Sequence, residues 1–240
     1  MIVVISQPMF VPWLGLFEQI GLADVFVHYD DVKRPGGGSF MTRVQIKTEQ
    51  GSRWLSAPID KQRSDWLIAE TFLQADRGWR DQHLDLIRQN YRDAPHFELM
   101  YELAERIYGY DGDDLSGFNR YATELVAGWL EFNTQFALSS ELAIPGSGSQ
   151  RVVDTCRHFN ATEYVTGHGA LDYLDHELFE ANDIRVSYID YALTPYAQLH
   201  GEFTPYVSIL DAIANVGHGT RDLMTSSCVG WREFAVRRGA

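Results

Sequence analysis

The sequence predicts an α/β fold, a Rossmann-like sheet interrupted by a helical insertion. Near the amino terminus, Ile2-Val3-Val4-Ile5, a stretch with helical spacing and Val25-Phe26-Val27 follow one another. Together they cover about thirty residues, the span of a βαβ unit whose parallel strands need a crossover. A second alternation occupies the carboxyl-terminal third: a helix over 150–159, a strand over 163–166, helical residues 171–180 and a strand over 184–191. Length is the third observation. Two hundred and forty residues, 45% of them apolar, suit one compact α/β domain over 1–240 with enough core to exclude global disorder.

The elements follow in order. Ser6-Gln7-Pro8 breaks the first strand, and Pro12 suits the first turn of a helix on which Trp13, Leu16, Phe17 and Ile20 recur before Gly21. The second strand runs into Asp30-Asp31. Pro35-Gly36-Gly37-Gly38 is a loop, its three glycines the least restricted backbone available. Arg43 to Lys47 alternates polar and apolar, Glu49-Gln50-Gly51-Ser52 has turn chemistry, and Trp54 to Ile59 is a second short strand, so 40–60 reads as a hairpin. Residues 67–73 are a further candidate strand. Helices over 79–91, 97–108 and 115–132 then make an insertion spanning approximately 79–140. Pro145-Gly146-Ser147-Gly148-Ser149 reads as a linker or loop, and Gly217 stops a helix over 208–215.

Charge and cysteine content narrow the partners. Twenty basic against 33 acidic residues leave a net charge of −13, which repels phosphate backbones and anionic lipid. DNA is not expected as a partner, nor is a membrane, because no apolar run approaches the roughly 18–20 residues of a span. The start MIVVISQPMF lacks a basic n-region and reads as a strand rather than a secretory signal. Cys156 and Cys228 form neither a disulfide framework nor a zinc ribbon, and a cytoplasmic location is expected.

Four constellations could carry chemistry. Gln7 stands at the carboxyl end of the first strand, where open α/β sheets bind ligands, beside the amino end of the helix that Trp13 opens. The alternative is a turn-capping Gln7 and a core Trp13. His28-Tyr29-Asp30-Asp31 ends the second strand on the same edge. Adjacent carboxylates on a strand point to opposite faces, so at most one faces a site unless the strand has ended; there it can bond a hydroxyl, act as general base or hold a divalent ion, the alternative being a solvated strand end or a helix cap. Arg43 and Lys47 share a strand face and suit a phosphate or carboxylate clamp, or simply an exposed hairpin face. His83, four residues after Trp79, is either an acid–base group or a hydrogen-bonded core histidine. There is no GxGxxG, P-loop, HExxH or GxSxG, so no metal and no cofactor is assigned.

These residues also carry a resemblance. Gln7-Pro8-x-Phe10-x-Pro12-Trp13-Leu14-Gly15, Ala23-Asp24-x-Phe26-Val27-x-x-Asp30-Asp31-Val32 and Arg43-x-x-Ile46-Lys47-Thr48 resemble the WbqC-like proteins. So do Trp54-Leu55 with Pro58, the helix containing His83, Gly167 with Asp172-Tyr173-Leu174, Gln198-Leu199-x-Gly201-x-Phe203-x-Pro205 and Ser208-Ile209-Leu210-Asp211. One departure is the glycine-rich 36–41 segment, with Thr42 before Arg43, where the family pattern ends in Asn-Arg. WbqC-like proteins accompany surface-polysaccharide and nucleotide-sugar functions. The resemblance therefore implies a transferase moving an acyl or aminoacyl group to the amine of an amino sugar or related metabolite, with a small-molecule substrate and a donor that a carrier can deliver. His83 and Asp30 are the expected catalytic groups. Gln7, Trp13, Asp31, Arg43, Lys47, Gly167, Asp172, Tyr173 and Gln198 are the expected substrate contacts. Nucleotidyl transfer with ATP and magnesium is the enzyme alternative, and a binding or scaffold subunit of a biosynthetic complex the non-enzymatic one.

Overall fold

The computed structural model describes residues 1–36, 38–60 and 66–239, so Gly37 of the glycine loop lies outside the described residues. β1 (Ile2–Ser6), α1 (Leu14–Leu22) and β2 (Val25–His28) form the first βαβ unit, and the hairpin is β3 (Arg43–Thr48) with β4 (Gly51–Ser56). The helices α2 (Gly78–Tyr91), α3 (Phe97–Tyr108) and α4 (Leu115–Trp129) precede β5 (Gln135–Leu138) and the short α5 (Ser139–Leu142). The chain continues through α6 (Gly148–His158), β6 (Glu163–Thr166), α7 (His176–Glu180), β7 (Arg185–Asp190), α8 (Ile209–Val216), β8 (Ser227–Gly230) and α9 (Trp231–Arg238).

Six strands form one sheet in the order β5-β2-β1-β6-β7-β8, with the hairpin separate. All pairs in it are parallel except β7 with β8. The architecture is a Rossmann-like α/β fold. Side chains alternate between its two faces, as period two requires. Val4 and Phe26 join a core that includes α1, α2, α3, α4 and α8 residues, whereas Val3, Ile5, Val25 and Val27 join a second core with α6, α7 and α9. Both faces are covered, so β1 and β2 read as nearly continuous apolar runs.

Local chemistry explains most boundaries. Trp13 is the residue before α1, two residues later than Pro12 in the first helical position would place it. The Asp114 side chain accepts from the Gly117 N–H to open α4, and Ser208 accepts from the Leu210 N–H to open α8, which ends at Gly217 with φ +63°. Arg80 donates to the Tyr108 carbonyl, which α3 leaves unbonded at its end, and to the Tyr110 and Gly112 carbonyls just beyond the helix.

The structure changes several expected elements. Residues 67–73 are not a strand: Ile68–Glu70 form a 3-10 turn, closed by the Glu70 carboxylate on the Leu67 N–H at 2.9 Å. Residues 171–180 hold only α7, which starts late because Asp175 caps it. The strands β5 and β8 and the helix α9 carry no sequence periodicity long enough to announce them. The two strands form because β2 and β7 offer open edges to pair with.

Candidate active site

Chain order reverses between β1 and β6. From β1 the chain builds outward through β2 and β5; β6 then returns to the other side of β1 and leads to β7. Such a switch point opens a crevice at the carboxyl ends of its strands, because the connections leave in opposite directions. A cavity of about 980 Å³ lies there, lined by Ser6 and Gln7 after β1 and by Thr166 and Gly167 after β6. That is at the upper end of the roughly 300–1,000 Å³ typical of small-molecule sites.

Each wall has its own chemistry. On the α1 side the Trp13 indole folds back over Gly15, where a Cβ would stand only 2.3 Å from an indole carbon. Tyr191 and Tyr206 flank the indole with ring centroids 5.0 and 5.7 Å away, and Gln19 donates to the Tyr191 hydroxyl at 2.6 Å. Burial pushes the Tyr191 phenol well above its ordinary value, so this wall is neutral. Trp13, Tyr191 and Tyr206 thus offer a platform for a planar or glycosyl ring.

The next wall carries the charge. Asp31 is gripped by Arg151 and by the Ser139 hydroxyl, the latter at 2.6 Å, and the Arg151 guanidinium lies 5.2 Å over the Tyr29 ring. Burial raises the Tyr29 phenol above its usual value despite Arg151 beside it. Residues 146–149, which lead into α6, complete this wall. The Ser147 side chain caps none of the first-turn N–H groups of α6, so they remain available to an anion. The segment that reads as a linker in the sequence is thus part of the cavity. Arg43, Gln45 and Lys33 form the third wall.

The WbqC-like protein family model matches residues 7–222. The chain belongs to the WbqC-like protein family. It is also 33% identical over 225 residues to the uncharacterized protein Rv1507c of Mycobacterium tuberculosis, an alignment covering 92% of this chain and 96% of that one. No solved structure matches the chain. The WbqC-like match starts at Gln7 in the cavity and stops before β8 and α9.

The WbqC-like motif residues divide into two sets. Gln7, Trp13, Asp31, Arg43, Gly167 and Tyr173 line the cavity. Lys47 and Gln198 instead belong to a buried network behind it. The Lys47 ammonium donates to Gln198 Oε1 at 3.1 Å and to the carbonyls of Gly201 and Glu202 at 3.4 and 2.5 Å. The Gln198 amide donates to Asp211, whose carboxylate also accepts from the Tyr91 and Tyr196 hydroxyls, all three bonds at 2.8 Å. Burial pushes the Asp211 carboxyl up, and these donors and Lys47 pull it back. The network pins the 196–206 segment, and Tyr206 reaches the cavity from its end. Arg43 and Lys47 share a strand face, but the segment covers only Lys47.

β2 stops at His28, so strand alternation does not part Asp30 and Asp31: both carboxylates meet the Ser139 hydroxyl, and of the two Asp31 lines the cavity. Asp30 is buried and holds the Ser139 hydroxyl at 3.1 Å, with the Ser140 N–H and hydroxyl at 3.1 and 3.0 Å, tying β2 to α5. His83 stands behind the cavity lining, its ring 6.0 Å from Phe10 and its Nδ1 3.2 Å from the Tyr108 hydroxyl. Burial lowers its pKa to about 4, so the imidazole is neutral near pH 7. Asp172 is exposed and outside the lining. Cys156 is buried, its thiol pushed up to about 12. Among the described residues no helix is long and apolar enough to cross a membrane.

Sequence reasoning names Tyr29 beside the two carboxylates without a role of its own, and passes over Arg151, Tyr191 and Lys33 as site residues. Arg151 sits in an ordinary amphipathic helix, and only its pairing with Asp31, 120 residues away, reveals its role. Tyr191 ends a strand that could have been inspected for site residues on the same rule that selected Gln7.

Proposed function

We propose that the cavity is the active site of a transferase that moves an acyl or aminoacyl group onto the amine of a small molecule such as an amino sugar. The observation that supports it most is the wall built by Asp31, Arg151 and the start of α6. Asp31 is a carboxylate with fixed geometry facing the cavity, suited to hold an ammonium or amine. The first-turn N–H groups of α6 suit the oxyanion that forms when the amine nitrogen adds to the acyl carbonyl. The bond to the donor's sulfur or oxygen then breaks, and that atom leaves with the electron pair. The adding nitrogen becomes far more acidic as its lone pair enters the new bond, and Asp31 takes its proton. Asp31, rather than His83 or Asp30, is the base in this reading because it is the carboxylate among the described residues that lines the cavity. The Trp13 platform would hold the acceptor ring.

The test is to incubate the protein with acyl or aminoacyl thioesters and a set of amino sugars, and to detect the amide by mass spectrometry. Amide formation that falls at least 100-fold in Asp31→Asn, with the fold intact by circular dichroism, is the expected result. Full activity in that variant would end the assignment of Asp31. Adenylated product from ATP and magnesium would replace acyl transfer by nucleotidyl transfer.

A further inference from the structure

The acyl-transfer reading leaves the β3 wall without a role. Arg43 stands there with its guanidinium carbon 4.1 Å over the Trp54 ring. The Gly38 backbone crowds it so closely that a Cβ at residue 38 would lie 2.8 Å from Nη2 and 3.0 Å from Cζ. Its Nε is buried and has no hydrogen-bond partner. Stacking and crowding therefore hold the head group in place, where most buried guanidinium groups are held by a carboxylate. Among the described residues neither Arg43 nor Lys33, which lines the same cavity, has an acidic partner, although the chain carries 33 Asp and Glu. Two cations from separate segments thus line one cavity without compensation, while the carboxylate in the same lining is already matched by Arg151.

We propose that Arg43, together with Lys33, is the receptor for a phosphorylated group of the substrate, a diphosphate or a phosphate monoester carrying two negative charges. The inference rests on the cavity being the substrate site. A single carboxylate would be satisfied by the guanidinium fork alone; a dianion also uses the second, point-like charge of Lys33. The Trp13–Tyr191–Tyr206 platform in the same cavity favours a diphosphate joined to a ring system. A coenzyme A thioester donor and a nucleotide-linked acceptor both have this chemistry.

Isothermal titration of the full chain at fixed ionic strength tests it with four probes: pyrophosphate, ADP, UDP and malonate. Pyrophosphate and at least one nucleotide bind at least tenfold more tightly than malonate, and Arg43→Ala weakens them tenfold or more. Arg43→Lys, the variant of choice should the alanine form misfold, loses less. Gly38→Ala, which displaces the guanidinium, weakens binding several-fold. Arg53→Ala, the same charge change on the exposed β4 surface, changes nothing. ADP preferred over UDP indicates the thioester donor, and the reverse indicates a nucleotide-linked acceptor. Equal affinity for malonate, no binding of any phosphorylated probe at millimolar concentration, or an indifferent Arg43→Ala overturns the proposal. Arg43-dependent nucleotide binding without any amide product removes the acyl-transfer reading alone. Amide formation on an unphosphorylated amine, unaffected by Arg43→Ala, removes this inference alone.

Discussion

The switch-point cavity and the network around Asp211 use the same residue types and differ in saturation. Asp211 is fully buried, and Tyr91, Tyr196 and Gln198 all donate to it, while Lys47 satisfies one glutamine oxygen and two carbonyls. Each group in that network has found its partner inside the protein, so it has nothing left to offer a ligand. In the cavity, Arg43 has no acidic partner among the described residues and its buried Nε no hydrogen-bond partner, Ser147 leaves the start of α6 uncapped, and Tyr173 and Tyr206 are largely exposed. A buried, saturated polar cluster fixes a conformation; a half-open, unsaturated one is available for recognition.

The comparison can be broken by substitutions that move stability where affinity should move, or the reverse. The largest effect is expected at Asp211→Ala. It strands the buried Tyr91 hydroxyl, removes an acceptor from Tyr196 and Gln198 and the negative charge facing Lys47, and should cost about 3 kcal/mol in urea unfolding. A loss under 1 kcal/mol would mean the network is not the strut described here.

His83 gives the next effect through pH. Its folded pKa of about 4 lies below the ordinary histidine value of 6.5. The unfolded chain therefore binds a proton between those values while the folded chain does not, and stability rises with pH across that window. The contribution is complete above pH 6.5 and is lost as pH falls towards 4, up to about 3 kcal/mol. Unfolding curves at pH 4.5 and 7 for wild type and His83→Gln should differ in this slope; identical slopes would show that burial does not lower the His83 pKa in the fold.

Lys47→Met should cost about 2 kcal/mol by releasing Gln198 and two carbonyls. It should also weaken ligand binding, because it loosens the segment that carries Tyr206. Binding lost with stability unchanged would move Lys47 to the cavity side of the comparison. The smallest effect on stability is expected at Gly15→Ala. Its Cβ meets the Trp13 indole, so ligand affinity falls about tenfold, or 1.4 kcal/mol, while the melting temperature barely moves because alanine favours helix. An unchanged affinity would remove Trp13 from the recognition wall.

Part of this was legible in the residues alone. The strand–helix–strand spacing and the apolar runs of β1 and β2 give the sheet, because local periodicity and burial on two faces leave a direct imprint. The switch-point rule selects Gln7 and Trp13. Strand alternation selects Arg43, and the resemblance adds Gly167 and Tyr173. Other features have no local imprint. That Lys47 is covered while Arg43 is open depends on the 196–206 segment folding across β3. That Asp31 is held by Arg151 depends on a pairing across 120 residues. Strands β5 and β8 exist through their neighbours' open edges. Sequence sets the periodic, nearest-neighbour preferences of this chain. Which polar groups find partners is decided by contacts between distant segments, and only the tertiary structure makes them.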